Sequence, residues 1–550
     1  MMPAQREPLV TGSSPDLPRQ RQLVAALRSA GRYPHAVRGV GMKETHISWV
    51  LLAGRYAYKI KKALDLGFLD FSTLEARRFY CAEELRLNRR LAPRLYLDVV
   101  AIGGSPEAPL LSGEPAIEYA VRMRRFAQSR LMDRMLALGH VTPEHIDQLA
   151  ATIAQFHTDL PPAPPDSPYC APDAVQAPVR QNFAQLLPLL SLPEDLAMLE
   201  SVRQASMLEF YAYAPLFRQR AMDGCVRECH GDLHLGNIVL LDDTPTPFDG
   251  IEFSTSLRWI DVINEAAFPV MDLLQRGQPQ LAWRFLNAYL EATGDYAGVG
   301  VLRFYLAYRA VVRAKIVAIR AHQPDVPQKE VKQAWATCRS HLALAYDCLL
   351  RRRPALIITH GLPCCGKTTF AEIVLERLGA IRIRSDVERK RLFNLAPLAD
   401  SRSQAGVDIY SEEATNRTYA HLHELARNLI AAGFPVIVDA AFLRHAERKY
   451  FRALAQEMAV PFVIASLQAD KTVLVKRLAE RRSRGNDASE ADYSVLQILQ
   501  AAQEPLREEE LARTVHFVNE GDVDTLRSSI EADSLLEAYL SYRQPEADGS

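Results

Sequence analysis

No apolar run in this chain approaches 18 residues, which excludes a conventional membrane-spanning helix. Its opening, MMPAQREPLVTGSSPDLPRQRQ, sets Pro, Arg and Glu where a signal peptide needs an apolar stretch, so a cytoplasmic location is expected. Cysteine is sparse: eight in 550 residues lack the density of a disulfide framework, and reduced thiols are expected. Cys225 and Cys229 stand beside His230, but no second ligand pair follows at zinc-like spacing. The formal net charge is only −1, which gives little electrostatic footprint for long nucleic acid. Repeats at solenoid spacing are also missing.

What is present is an ordinary globular balance, 48% apolar and 24% charged. At roughly 100 to 200 residues per domain, the length predicts about three or four structural units. Residues 45–50 and 56–61 read as short strands, with Ala53 and Gly54 near the turn between them. An amphipathic helix is expected over 73–91, stopped by Pro93, then strands over 97–102 and 116–123. A helix over 143–157 opens a mainly helical stretch to about Leu350, broken by a Pro-rich loop at 161–168 and a strand at 238–241. The basic triplet 351–353 and Pro354 mark a junction. Beyond it, β-rich runs at 355–359, 380–383, 435–438 and 462–467 alternate with helical patterns, the signature of a parallel sheet. The expected fold class is multidomain, α+β followed by α/β. A polar extension with a first helix occupies 1–34, a first domain 35–350 with its small lobe ending near 125, a second domain 354–520, and a C-terminal helix and polar tail 521–550.

Two motifs carry chemistry. The first, HGDLHLGNIVLLDDTPTPFDGIEF, sets Asp232, Asn237 and Asp249 in an order that suits phosphoryl transfer from magnesium ATP. One aspartate takes the proton of an acceptor hydroxyl, while an asparagine and a second carboxylate hold the metal bridging the phosphates. At this point residues 35–345 resemble the aminoglycoside phosphotransferase family, whose catalytic loop is HGDxxxxN and whose fold is protein-kinase-like. AQFHTDLP around His157 and RWIDV around Asp261 add to the likeness. The resemblance implies Asp232 as catalytic base, Asn237 and Asp249 as metal ligands, and a strand lysine paired with a helix glutamate. YAYKIKK and CAEELRLNRRL offer Lys59 and Glu84, but Lys61 lies on the same strand face and Glu83 is adjacent to Glu84. Glu252 is the alternative to Asp249, which the spacing from Asn237 favours. No Gly-rich phosphate loop stands out over 37–48. His157, His230 and His234 read as structural.

The second motif, GLPCCGKT from Gly361 to Thr368, fits GxxxxGK[ST] between an apolar strand and an amphipathic helix. Backbone amides from Gly361 through Cys364, Cys365 and Gly366 to Thr369 cradle phosphate in such a loop, Lys367 reaches the terminal phosphates, and the Thr368 hydroxyl ligates magnesium. Cysteines are unusual here: positive φ at Cys364 would be strained, and the helix N-terminus with Lys367 favours a thiolate open to redox inhibition. Residues 354–520 resemble polynucleotide-kinase, zeta-toxin-like and gluconate-kinase-like P-loop kinases. That resemblance implies Asp386, near Arg389 in IRIRSDVERKRLF, as the base, and Asp439 in PVIVDAAF as the Walker B metal residue. It also makes RLAERRSRGNDAS, with Arg481, Arg482 and Arg484, the basic lid.

Together the motifs describe a bifunctional ATP-dependent chain, a phosphotransferase-like domain followed by an AAA-type ATP-binding domain, with ATP and Mg2+ as cofactors. A small-molecule hydroxyl is the expected acceptor, and no membrane partner is expected. Two other readings are a nucleotide-gated regulator and a toxin-like kinase acting on nucleotide-sugars or nucleic-acid ends.

Overall fold

The computed structural model describes residues 12–13, 16–67, 69–323, 326–350, 352–396, 399, 409–484, 492–534, 536 and 538. The expected polar tail and most of the N-terminal extension's first residues lie outside that set, as do the side chains of Arg482 and Arg484. Two compact units form, one from Met1–Arg180 with Arg218–Pro269, the other from Gln181–Phe217 with Val270–Ser550.

The first unit is built on a six-stranded antiparallel sheet of β1 (Val40–Glu44), β2 (Ser48–Ala53), β3 (Tyr56–Lys61), β4 (Tyr96–Gly104), β5 (Pro109–Leu111) and β6 (Glu118–Arg124), in the order β1-β2-β3-β6-β4-β5. The strand expected over 45–50 is displaced. Thr45 turns the chain instead: its Oγ1 accepts the Ser48 N–H at 3.0 Å and its own N–H donates to Ser48 O at 2.9 Å. A short hydroxyl side chain has captured backbone groups that a strand would otherwise pair. In β3 the period of two sorts the residues. Tyr58 and Ile60 join Trp49, Leu51 and Ile102 in one core, while Ala57 faces Cys81 and Val121 on the other side. The helix α1 (Leu74–Asn88) covers that second side, its start capped by Thr73 Oγ1 accepting the Ala76 N–H at 3.1 Å.

Beyond the long helix α2 (Pro143–Asp159), the expected strand at 238–241 is joined by three others. β7 (Val226–Glu228) pairs with β10 (Trp259–Asp261), and β8 (Ile238–Leu241) with β9 (Thr244–Pro247), all antiparallel. Strands of three or four residues are too short to display a period, which is why the helical reading of this stretch missed them. The helix α3 (Val262–Gln275) follows, and then α4 (Pro279–Thr293).

The second unit contains a five-stranded parallel sheet: β11 (Ala355–His360), β12 (Ile381–Arg384), β13 (Pro435–Asp439), β14 (Phe462–Gln468) and β15 (Thr514–Val518), ordered β12-β13-β11-β14-β15. The two helices α5 (Lys367–Leu378) and α6 (Ser385–Leu392) follow the first two strands, and α7 (Lys471–Arg484) follows β14. β15 was not anticipated. It is an edge strand with His516 and Val518 exposed, so it lacks the continuous apolar run that reveals the buried strands. At the opposite edge, α4 supplies what a neighbouring strand would: Asn287 Nδ2 donates to Ala380 O at 2.9 Å and Asn287 Oδ1 accepts the Arg382 N–H at 2.7 Å. Among the described residues no helix is long and apolar enough to cross a membrane.

Candidate functional site

β3 presents Lys59 and Lys61 to the same helix, and both close on one carboxylate. Lys59 Nζ donates to Glu84 Oε1 at 2.8 Å and Lys61 Nζ to Glu84 Oε2 at 2.7 Å. Each lysine then has a second partner of its own, Asp249 Oδ1 at 2.5 Å from Lys59 and Glu252 Oε1 for Lys61. The environments separate the two pairs. Lys61 and Glu252 are sealed in, whereas the Asp249 side chain is 43% exposed. Glu83 points elsewhere, to Arg86 at 2.8 Å. Burial pushes the Glu84 carboxyl up, but the two ammonium groups outweigh it and hold the value down at about 2. For Glu252 burial wins: Lys61 pulls the value down, Glu84 repels, and the net shift is upward.

The backbone around Asp249 is pinned from three directions. Asp249 sits at φ 64, a left-handed conformation that costs of order 1 kcal/mol outside glycine. Its N–H donates to the Tyr96 hydroxyl at 3.1 Å, and the Gly250 N–H to Asn88 Oδ1 at 2.8 Å. Asn88 lies one helical turn after Glu84, so one face of α1 serves both the lysines and this loop. His230 adds the third tie: its Nε2 donates to Phe248 O at 2.9 Å and its Nδ1 accepts the Asp232 N–H at 3.3 Å. Burial lowers the basicity of this imidazole, consistent with a neutral ring whose two nitrogens play opposite roles.

Asp232 and Asn237 are brought together, with Asn237 Nδ2 donating to both the backbone O and Oδ2 of Asp232 at 3.0 Å. Any cation held by Asn237 is therefore held through Oδ1. His234 accepts the Gly236 N–H on Nδ1 at 3.1 Å, which puts its proton on Nε2, 3.5 Å from Asp232 Oδ2. Beneath the loop lies a residue that the motif reading missed. Glu265 on α3 is fully buried and accepts the His230 N–H at 2.8 Å and the Gly231 N–H at 2.6 Å, with His157 Nε2 at 3.4 Å. Ligand atoms of His157, Cys229 and Glu265 fall within 4.8 Å of one another, yet both Glu265 oxygens are committed to backbone amides, so the cluster is a loop anchor. Burial raises the Glu265 carboxyl, and the hydrogen bond and charge of His157, with His230, reverse that to about 2.

In the second unit the loop from Gly361 to Gly366 leaves the buried strand β11 and opens α5. Gly366 takes φ 104, and a Cβ there would lie 2.1 Å from Asn519 Nδ2. That amide donates to Cys365 O at 3.0 Å. Lys367 Nζ donates to Gly361 O at 2.9 Å and Leu362 O at 2.8 Å. Cys364 has φ 64, the strain its Cβ predicts, while Cys365 is buried and its thiol is pushed up by burial.

Burial raises the pKa of the Asp439 carboxylate against the pull of Arg384, Arg382, Lys367 and the Thr368 hydroxyl. Asp439 Oδ2 is buried without a hydrogen-bond partner among the described residues. A buried orphan carboxylate oxygen beside a hydroxyl is an all-oxygen donor set of the kind magnesium takes. Asp386 lies half-buried in the first turn of α6, two residues beyond Arg384, at the carboxyl ends of the strands where α/β sheets bind ligands. Thr369 is in the first turn of α5. Arg389 is buried, its Nη1 donating to Ile409 O at 2.9 Å and Thr415 Oγ1 at 3.2 Å. On α7, one turn before Arg481, Arg477 touches the loop: it donates to Cys364 O at 3.4 Å and Asn519 O at 3.0 Å. Its helical spacing from Arg481 was the available signal.

A family model described as "AAA domain" matches residues 356–506. The Mycobacterium tuberculosis (strain ATCC 25618 / H37Rv) protein called "Uncharacterized protein Rv2004c" is 30% identical over 465 residues, 84% of this chain and 90% of the relative. Among solved structures, a choline/ethanolamine kinase family protein from Mesorhizobium loti aligns with 59% of this chain and 99% of its own, at 13% identity and TM-score 0.34. A gluconokinase from Sinorhizobium meliloti 1021 aligns with 35% of this chain and 94% of its own, at 20% identity and TM-score 0.25. The chain belongs to the family of the mycobacterial protein, and it carries a lysine–glutamate pair and an HGD loop ahead of the stretch, residues 356–506, that matches the AAA domain model.

Proposed function

We propose that the chain is a phosphotransferase with two nucleotide sites, each moving the γ-phosphoryl group of magnesium ATP to a hydroxyl of a small-molecule acceptor. The observation that carries the first site is the Lys59–Glu84 pair at 2.8 Å, with Asp249 on the same lysine. An ammonium group fixed between two carboxylates is held ready for phosphate oxygens, and phosphoryl transfer asks mostly for positioning and charge neutralisation. Asp232, held by Asn237, takes the acceptor proton. Asn237 Oδ1 and Asp249 would hold the metal, which when bound neutralises phosphate charge. Lys61, itself held by Glu252, holds Glu84 from the buried side.

In the P-loop unit, the loop amides from Gly361 to Thr369 and the start of α5 bind phosphate, and Lys367 leaves its own loop carbonyls for the terminal phosphates. Thr368 and Asp439 would hold the metal there. Asp386 takes the acceptor proton, and Arg481 closes from α7 together with Arg477.

Calorimetric titration of the full chain with ATP in magnesium tests the two-site reading. Two binding events are expected for the wild type and one each for Lys59→Ala and Lys367→Ala. A single event that both substitutions leave intact would exclude it.

A further inference from the structure

The edge strand β12 is held from outside the sheet by α4 and the turn after it. Asn287 completes the strand's hydrogen bonding, and the Tyr296 hydroxyl lies 3.4 Å from Arg382 O. The same helix carries Glu291, whose Oε2 accepts from Arg382 Nη2 at 2.8 Å and whose Oε1 accepts from Arg384 Nη1 at 2.9 Å. A third cation, Arg391, donates from Nη2 to the Glu291 backbone oxygen at 2.5 Å. Nothing in a P-loop motif calls for such a glutamate, which lies more than 60 residues before the first strand of the sheet.

What gives this contact chemical weight is the other neighbour of Arg384. In the sheet register Arg384 stands directly beside Asp439, and its Nε is 3.9 Å from Asp439 Oδ2, the buried oxygen with no hydrogen-bond partner among the described residues. The guanidinium therefore lies between two carboxylates. It spends Nη1 on Glu291 and stops short of hydrogen-bond distance from Asp439. An arginine hydrogen-bonded to that aspartate would occupy the oxygen and oppose a divalent cation by like charge.

We infer that Glu291 is a positioning residue for the P-loop site: by holding Arg384 it keeps the guanidinium off Asp439 and leaves that carboxylate to a magnesium ion. The inference rests on the reading of Thr368 and Asp439 as the metal-holding pair. It makes α4 a working part of the nucleotide site, joined to it through one carboxylate.

The test uses the full chain carrying Lys59→Ala, so that only the P-loop site responds, and follows magnesium-dependent binding of a fluorescent ATP analogue. Glu291→Gln, Arg384→Gln and the double variant are compared, with circular dichroism and thermal unfolding recorded for each. Freed from Glu291, Arg384 closes on Asp439, so Glu291→Gln is expected to raise the half-saturating magnesium concentration about tenfold. Arg384→Gln alone should not raise it, and the double variant should match Arg384→Gln. A merely structural glutamate predicts the opposite, a double variant at least as weak as Glu291→Gln. That result, an unchanged half-saturation in Glu291→Gln, or a raised one in Arg384→Gln, overturns the inference alone. Absence of magnesium-dependent nucleotide binding in the parent overturns the P-loop reading and the inference with it.

Discussion

Lys59 and Asp249, 190 residues apart in the chain, meet at 2.5 Å between Nζ and Oδ1, while two residues along the same strand Lys61 reaches Glu252. The two pairs share Glu84 but differ in exposure, and they should fail differently. Asp249→Asn is expected to lower first-site phosphoryl transfer roughly 100-fold or more, as loss of a group that acts on developing charge does, with little effect on folding. Glu252→Gln strips a fully buried ammonium of one of its partners and should lower stability by about 3 kcal/mol. Transfer assays beside urea unfolding separate the two. Equal stability losses with equal activities would contradict the division of roles.

Glu265 ties the backbone of His230 and Gly231 to α3, and its carboxyl is depressed from the ordinary 4.5 to about 2 in the folded chain. A lowered carboxyl pKa stabilises the fold at pH values above 4.5, and that stabilisation is lost as the pH falls through 4.5 toward 2. The shift corresponds to about 3 kcal/mol. Glu265→Gln should therefore be less stable than the wild type by about that amount at pH 7, with the gap narrowing below pH 4.5. Urea unfolding at a series of pH values measures it, and a gap independent of pH would refute the assignment.

Cys364 holds φ 64 in the P-loop, and Cys365 beside it is buried with its thiol pushed up. Cys364→Gly should stabilise the chain by about 0.5 to 1 kcal/mol if relief of strain exceeds the added freedom of the unfolded chain, and Cys364→Val should destabilise it by a similar amount. Thermal unfolding of the two variants checks the sign. Because a raised thiol pKa slows oxidation, mild peroxide should leave nucleotide binding unchanged through Cys365. Inactivation that disappears in Cys365→Ser would contradict this.

Much of this was legible in the sequence, for reasons that differ by residue. HGDxxxxN and GxxxxGK[ST] are local: their groups lie within a few residues, so spacing alone brings Asn237 to Asp232 and Lys367 onto its own loop. The three inner strands of the parallel sheet, β11, β13 and β14, announce themselves as largely apolar runs. What stayed hidden was long-range. Glu265 lies 35 residues from the amide it holds and Arg477 lies 42 from Asn519, and neither belongs to a motif. Glu291 reads as one more charged residue on a helix until β12 is placed beside it, 93 residues later. The ambiguity between Lys59 and Lys61 could not be resolved from a strand period of two, because both truly face Glu84. Burial and the choice of lysine distinguish Asp249 from Glu252.

The central claim is that two sites each transfer phosphate. It is tested most directly by incubating labelled ATP and magnesium with a cell metabolite extract and wild type, Asp232→Asn or Lys367→Ala, and resolving labelled products by mass. The account predicts two sets of labelled hydroxyl products, one lost only in Asp232→Asn and the other only in Lys367→Ala, with ATP still bound by Asp232→Asn. Nucleotide binding at both sites without any labelled product, or products that survive both substitutions, would contradict it.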